Sequence, residues 1–447
     1  MNDQRQQLIE LGTERLADAL LELAEKSELV EERVEGMLAT PKESIRRYKT
    51  KLAGLRRMRR FVGWRESGDF AREIVTLLED LRAEVDDPCI GAELVAAFYE
   101  VDGVVFDHCD DSNGTVGDVF RCDARDLFVH YAARCEDKQW LADLVLKLGQ
   151  NDDYGVRDAL MDCAADYLPE EITRGLTQQL WRLAERETDE YKARHWIFGI
   201  ESLARQLKDA PLFEKARRAA WPEVSPAACL DIAEVYLEFG DAETALSWLE
   251  RIREGETFKV DERDRLLLAV HEKLGKRQKR VETAWRIFRR HRSEDTLKTL
   301  LTVIGENQRN EVIDEEAGVI LQSERLSYSD TAFLIQNGRI DDAEAYLLEQ
   351  ADQLDGDFYT SLLPIAEAME KIGRVLVASV IYRALLDSIL GRAQSKYYHH
   401  GVRYLKKLDV LAGRVGDWRY FPSHRDYTEK LRQLHGRKRS FWSRYGK

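Results

Sequence analysis

The sequence predicts an all-α fold, an α-solenoid of helical pairs, and three observations carry that prediction. Only 8 of the 447 residues are proline, and Ala, Leu, Glu, Arg and Lys, all strong helix formers, dominate the composition. Apolar residues recur at helical spacing in segment after segment, and no sustained period-two alternation marks a strand. Five glycines, Gly240, Gly275, Gly305, Gly338 and Gly373, lie 35, 30, 33 and 35 residues apart. A period near ~34 residues is the mark of paired-helix repeats of the tetratricopeptide type. With 44% apolar residues, a chain of this length can bury a sizeable core.

Taken in order, the elements fall into four regions. Residues 1–66 read as N-terminal helices. Leu8, Leu11, Leu16, Leu20 and Leu23 paint one helical face, and Thr40-Pro41 reads as an N-cap followed by proline in the first turn. Ile45, Tyr48, Leu52, Leu55 and Met58 give the next helix an apolar face, set among arginines and lysines. Residues 67–225 read as an irregular, HEAT-like helical region. Its least helical stretch, Asp107 to Gly117, is expected to be a long loop. Asp152-Asp153-Tyr154-Gly155-Val156-Arg157, followed by Ala159, Leu160, Cys163, Ala164 and Tyr167, reads as the start of a HEAT-like pair. Leu168-Pro169-Glu170-Glu171 places acids at a positive helix end.

Residues 226–415 read as tetratricopeptide-like repeats, opened by the cap Ser225-Pro226. In each unit a bulky residue is expected four before the glycine and a small one five after it, where the second helix packs close. Tyr236/Gly240/Ala245, Leu334/Gly338/Ala343 and Met369/Gly373/Ala378 fit, with Leu249, Leu347 and Tyr382 four further on. The units at Gly275 (His271, Arg280) and Gly305 (Asn310) are degenerate. Residues 416–447 read as a basic, aromatic C-terminal tail.

Charge is segregated along the chain. The net charge is −14, which argues against general nucleic-acid coating. Residues 42–65 nevertheless hold ten basic side chains and one acid, and residues 425–447 hold eight and two. These tracts carry +9 and +6, so the other 400 residues carry −29. The candidate basic patch is Arg46, Arg47, Arg56, Arg57, Arg59 and Arg60 with Arg437, Lys438 and Arg439. Beside Phe441 and Trp442, such a patch suits phosphate contact and base stacking. It equally suits pairing with the chain's own acids, with Phe441 and Trp442 docked as a C-terminal plug on the last helix, or an acidic protein partner.

Chemistry leaves little trace. The six cysteines are scattered without close pairs, which predicts reduced, mostly buried thiols rather than a disulfide framework. The N-terminus lacks a basic region followed by an unbroken apolar run, so no signal peptide is expected, and no stretch of 18 apolar residues predicts a membrane span. Asp107, Asp110, Asp111, Asp118, Asp123 and Asp126 are dense enough to suggest a hard cation. An EF-hand register fails, however, because it puts Cys109 and Phe120 at ligand positions. Turn closure and helix capping are the better expectation, so no metal and no cofactor are predicted. Phosphate-loop, dinucleotide-turn, nucleophile-elbow and zinc-protease patterns are all absent.

The segments LRRMRRFVGWRE (55–66), CDDSNGTVGDVFR (109–121), DDYGVRDALMDCA (152–164), YYHHGVRYLKKLDVLA (397–412) and HGRKRSFW (435–442) resemble those of a bacterial family of uncharacterised helical-repeat proteins. Some relatives occur next to, or fused behind, a SWIM-type zinc finger. The resemblance spans nearly the whole chain and implies a bacterial intracellular α-helical solenoid without an established activity or catalytic residues. The zinc-finger pattern CxCx(n)CxH is absent here, so no zinc role carries over.

These readings together predict a non-catalytic, cytoplasmic scaffold that holds a protein partner in the groove of stacked helix pairs. Candidate groove residues are Glu234, Glu238, Gln336, Asn337, Glu367 and Glu370, whose charge suggests a basic partner. The alternative is a nucleic-acid-associated accessory protein using the two basic tracts. An unrecognised metal-dependent enzyme around Asp110, Asp111 and Asp118 is the third reading. Oligomeric state is not legible.

Overall fold

A computed structural model describes residues 2–221 and 223–446 and is all-α, built of packed helical pairs in two compact units, residues 1–258 and 259–447. The first unit contains α1 (Asn2–Glu10), α2 (Thr13–Ala24), α3 (Glu28–Leu38), α4 (Pro41–Arg56), α5 (Ser67–Glu84), α6 (Pro88–Tyr99), α7 (Asp102–Asp107), α8 (Thr115–Asp118) and α9 (Arg125–Ala132). It continues through α10 (Lys138–Gly149), α11 (Asp158–Met161), α12 (Glu170–Arg186), α13 (Glu190–Gln206), α14 (Ala210–Ala220), α15 (Pro226–Glu238) and α16 (Ala242–Leu249). The second contains α17 (Val260–Lys273), α18 (Arg277–Arg290), α19 (Glu294–Ile304), α20 (Arg309–Leu321), α21 (Tyr328–Gln336), α22 (Ile340–Glu349), α23 (Tyr359–Ile372), α24 (Val375–Gly391), α25 (Tyr398–Ala412), α26 (His424–His435) and α27 (Arg439–Tyr445). Among the described residues the only β-pairing is an isolated bridge between Val62 and Cys109.

Local chemistry sets the helix ends. Thr40 and Glu43 close a capping box, with the Glu43 side chain accepting from the Thr40 N–H at 2.9 Å. Ser225 caps α15 by accepting from the Ala228 N–H at 3.2 Å. Each of the five spaced glycines falls between two helices and has a positive φ, from 64° at Gly275 to 113° at Gly305. At Gly373, φ of 90° closes α23 in the left-handed region that side chains avoid, which is why glycine stands there. The small residues five positions on are fully buried at Ala245, Ala343 and Ala378, as are Leu249, Leu347 and Tyr382.

Several expectations are corrected. The leucine-rich N-terminus is two helices, because Gly12 at φ 83° separates α1 from α2. Its apolar face is not covered: Leu8, Leu11, Leu20 and Leu23 are all exposed. The stretch after Arg157 forms only the four-residue α11 and a 3-10 turn at Ala164–Asp166, not a full HEAT-like helix. The two compact units divide at 258/259, and α15 and α16 dock on α14 within the first. Glu214 on α14 accepts from the Tyr236 hydroxyl at 2.8 Å and from the Trp248 indole at 3.2 Å. Residues 416–447 are no tail: Tyr427, Leu431 and Phe441 are buried, and Lys447 lies outside the described residues.

Salt bridges join successive pairs in the second unit. Arg339, just after Gly338, reaches back to Asp314 on α20 and holds Asp342 beside it. Arg374, just after Gly373, does the same to Asp341 and Glu344 on α22. Two buried carboxylates each hold two arginines: Asp264 takes Arg286 and Arg290, and Glu316 takes Arg289 and Arg292. Much of the chain's charge is therefore neutralised within its own repeats.

Candidate functional site

Four of the five distinctive segments are accounted for by internal bracing. In 152–164, the Asp152 carboxylate accepts from the backbone N–H groups of Tyr154, Gly155 and Arg157 at 2.8–3.2 Å. That turn aims Arg157 inward, where Nε and Nη2 clasp Asp102 at 2.8 and 2.7 Å and Nη1 donates to the Leu148 carbonyl at 3.1 Å. In 109–121, Asp111 caps α8 by accepting from the Val116 and Gly117 N–H groups, both at 2.8 Å. Asp110 turns to the Ser112 N–H at 3.1 Å, and the Tyr154 hydroxyl donates to Asp107 at 2.5 Å. These acids act as turn and cap residues, and among the described residues no three His, Cys, Asp or Glu side chains converge as ligands for an ion.

In 397–412, a Cβ added at Gly401 would lie 3.2 Å from both the Phe441 ring and the Leu386 side chain, tight enough to push them aside. In 435–442, that ring plugs the second unit's core against Tyr398, with ring centroids 5.8 Å apart. The Trp442 indole donates to the His435 carbonyl at 2.9 Å, and Arg432 lies over its face. Arg437 and Arg439 stay exposed and Lys438 is half-buried.

The remaining segment, 55–66, and the helix before it are different. α4 turns Ser44, Tyr48 and Leu52 inward. Its opposite face is a shallow depression lined by Lys42, Ile45, Arg46, Lys49, Ala53 and Arg57. Helical spacing puts these residues on one side. Lys51 pairs with Asp80 at 3.4 Å, Arg56 with Glu100 at 2.9 Å and Arg60 with Glu66 at 2.8 Å. Arg47 is also engaged. Lys42, Lys49, Arg57 and Arg59 form no ion pair among the described residues, and Arg46 only lends its field to Glu43.

The backbone after α4 is pinned. The Val62 N–H donates to the His108 carbonyl at 2.8 Å, and the Asp110 N–H donates to the Val62 carbonyl at 2.9 Å. Val62 points into the core, so its neighbour Phe61 points out, as alternation along an extended segment requires. Phe61 is 60% and Trp64 59% exposed, with the Arg65 guanidinium 5.5 Å over the Trp64 ring. A rigid loop thus presents two aromatic rings beside unpaired arginines.

Of the candidate groove residues, Glu234 and Glu238 belong to the first unit and the others to the second. Glu370 is held by Lys407 at 2.6 Å and by the Tyr382 hydroxyl at 2.9 Å. Glu238 pairs with Arg205 at 3.4 Å, Asn337 donates to its own helix at the Phe333 carbonyl, and Glu234 is engaged as well. Gln336 and Glu367 remain exposed.

The cysteine expectation is overturned in part. Cys89 on α6 and Cys135 beyond α9 form a disulfide, their Cα atoms 5.0 Å apart. The two elements pack closely here, since the Tyr131 ring lies against Gly91. Thiol count therefore no longer argues for a reducing compartment. Cys163 is a poor nucleophile because burial pushes its thiol up to about 12, while Cys122 is exposed. No helix among the described residues is long and apolar enough to cross a membrane.

The curated proteins give no match. A solved structure described as "Circular tandem repeat protein with novel repeat topology and enhanced subunit contact surfaces" is 16% identical over 97% of this chain and 98% of its own, with a TM-score of 0.14. That score is too low for any argument to rest on the likeness. A family model matches twice, over residues 2–221 and 213–444. Between them the two matches span almost every residue, and the chain therefore belongs to the family of unknown function DUF6880.

Proposed function

We propose that the protein is a non-catalytic interaction scaffold that docks an acidic segment of a partner protein. The docking surface is the outer face of α4 with the 57–65 loop. One observation carries this reading: Lys42, Lys49, Arg57 and Arg59 form no ion pair among the described residues and lie on one short stretch with the exposed rings of Phe61 and Trp64. Aromatic rings and arginine are the residues that dominate binding energy at interfaces. Loop pinning through Val62 supports the same reading, because a preformed surface loses less entropy on binding. The acidic groove, by contrast, loses most of its candidates to internal bonds.

The test is site-specific photo-crosslinking in the native cell, with the reactive side chain placed at Arg46 or Phe61 and, as control, at Lys298. A discrete protein adduct at 46 and 61 that survives nuclease, is missing at 298 and disappears in Arg57→Glu/Arg59→Glu supports the reading. Nucleic acid at the same positions, released steeply as salt rises, would transfer the surface to the accessory-protein reading. Equal adducts at all three positions refute a dedicated surface.

A further inference from the structure

A second site lies in the other unit. The 351–356 turn, α24 and the 421–430 segment enclose an open pocket of about 530 Å³, whose charged lining is Arg383 and Lys430 with three aspartates, Asp352, Asp355 and Asp387. Arg383 sits in its wall at only 6% exposure, clamped between the Trp418 and Tyr427 rings at 4.2 and 4.6 Å. Its Nη1 donates to the Pro422 carbonyl at 2.8 Å. The other in-plane edge, Nε and Nη2, is buried and has no hydrogen-bond partner among the described residues.

That edge is the one Arg157 uses to clasp Asp102. Asp387, one turn along α24, lends Arg383 its field but makes no hydrogen bond to it; its carboxylate takes the Tyr427 hydroxyl at 2.8 Å. Burial pushes the Arg383 guanidinium down to about 10, the mark of a cation short of compensation. Elsewhere in this unit buried Asp264 and Glu316 each meet two arginines, so a buried arginine with no hydrogen-bonded carboxylate departs from the local pattern.

We propose that this pocket binds a carboxylate, held side-on by Nε and Nη2 of Arg383, with Lys430 at the rim as the second cation. The fork of a guanidinium edge matches a planar carboxylate, and the ring clamp fixes its plane in advance. Screening from bulk water strengthens the bond. The carboxylate belongs either to a small free acid or to a polypeptide C-terminus.

Calorimetric titration of the full chain at fixed ionic strength, set with chloride, tests the proposal with three probes: acetate, acetyl-Ala-Ala-Leu with a free carboxylate, and the same peptide as its amide. Acids are expected to bind and the amide to be silent. Arg383→Lys keeps the charge but loses the fork, and is expected to weaken binding at least tenfold; Arg383→Met should abolish it. Lys430→Gln, an exposed change that leaves the core alone, should weaken it a few-fold. Tighter binding of the peptide acid than of acetate points to a polypeptide end, and equal binding to a small acid. Failure of both acids to bind the wild type overturns the proposal, as does affinity unchanged in Lys430→Gln and in whichever Arg383 variant folds.

Discussion

Replacing Asp102 with Ala isolates the energetic worth of the first unit's most enclosed ion pair. Arg157 and Asp102 make two hydrogen bonds of 2.8 and 2.7 Å, and their side chains are 7% and 3% exposed. Removing the carboxylate leaves a guanidinium in a water-poor interior with only the Leu148 carbonyl at 3.1 Å. Breaking a buried pair from one side costs about 3–5 kcal/mol, against at most about 1 kcal/mol for an exposed pair such as Arg72–Asp69. At about 1.4 kcal/mol per factor of ten, ~4 kcal/mol raises the opened population by about a thousandfold. Hydrogen exchange read by mass spectrometry on the full chain measures this directly, because opening free energies are local. Amides in 98–161 are expected to lose protection on that scale, and Arg72→Ala should change exchange little. The double variant Asp102→Leu/Arg157→Met removes both charges and should recover most of the loss. Exchange in 98–161 within threefold of wild type in Asp102→Ala would refute the reasoning, and a double variant no better than the single would shift the cause from charge to shape.

Three further outcomes are expected. Glu201 on α13 is buried, and its carboxyl is pushed up to about 7 because burial outweighs the pull of Arg217. A native value above the ordinary 4.5 means that its contribution is fully present below 4.5 and is lost as pH rises through 7. Urea midpoints should therefore fall between pH 5 and pH 8 in the wild type, and less so in Glu201→Gln. Gly373→Ala forces a side chain to φ 90° and should lower stability by about 1–2 kcal/mol, whereas Gly318→Ala, inside α20 with open space around it, should raise it by about 0.5–1 kcal/mol; paired denaturation curves decide both. The Cys89–Cys135 bridge closes a span of 46 residues, so reduction should cost roughly 4 kcal/mol in the first unit, and peptide mapping without reductant should recover the linked pair.

How much of this was legible in the sequence depends on the range of the interaction. Gly240, Gly275, Gly305, Gly338 and Gly373 are readable because a helix end is a local event, set by one residue's backbone freedom. The Thr40 and Ser225 caps are readable for the same reason. The Arg157–Asp102 clasp spans 55 residues and the Cys89–Cys135 bond 46, and nothing in the spacing along one chain announces either. The Asp152 turn shows the boundary well: its acid-rich motif is visible, but its purpose, aiming Arg157 at a helix elsewhere in the fold, is not. The basic tract at 42–65 was visible as charge. Only the fold separates Arg56 and Arg60, which have partners, from Arg57 and Arg59, which face water. A docked Phe441 is one reading the C-terminal aromatics allow, but its pocket, at Tyr398 and Gly401, lies forty residues upstream and no spacing announces it.

The arginines that follow Gly338 and Gly373 each reach back to the second helix of the preceding pair and no further. A fastening with that reach is modular. A whole glycine-to-glycine cassette inserted between two such arginines would meet one clasp on each side and leave the others as they are. Lengthening or shortening the array by one cassette is then a tolerable event in its history, while a shift of a few residues inside a cassette unhooks a clasp and is not.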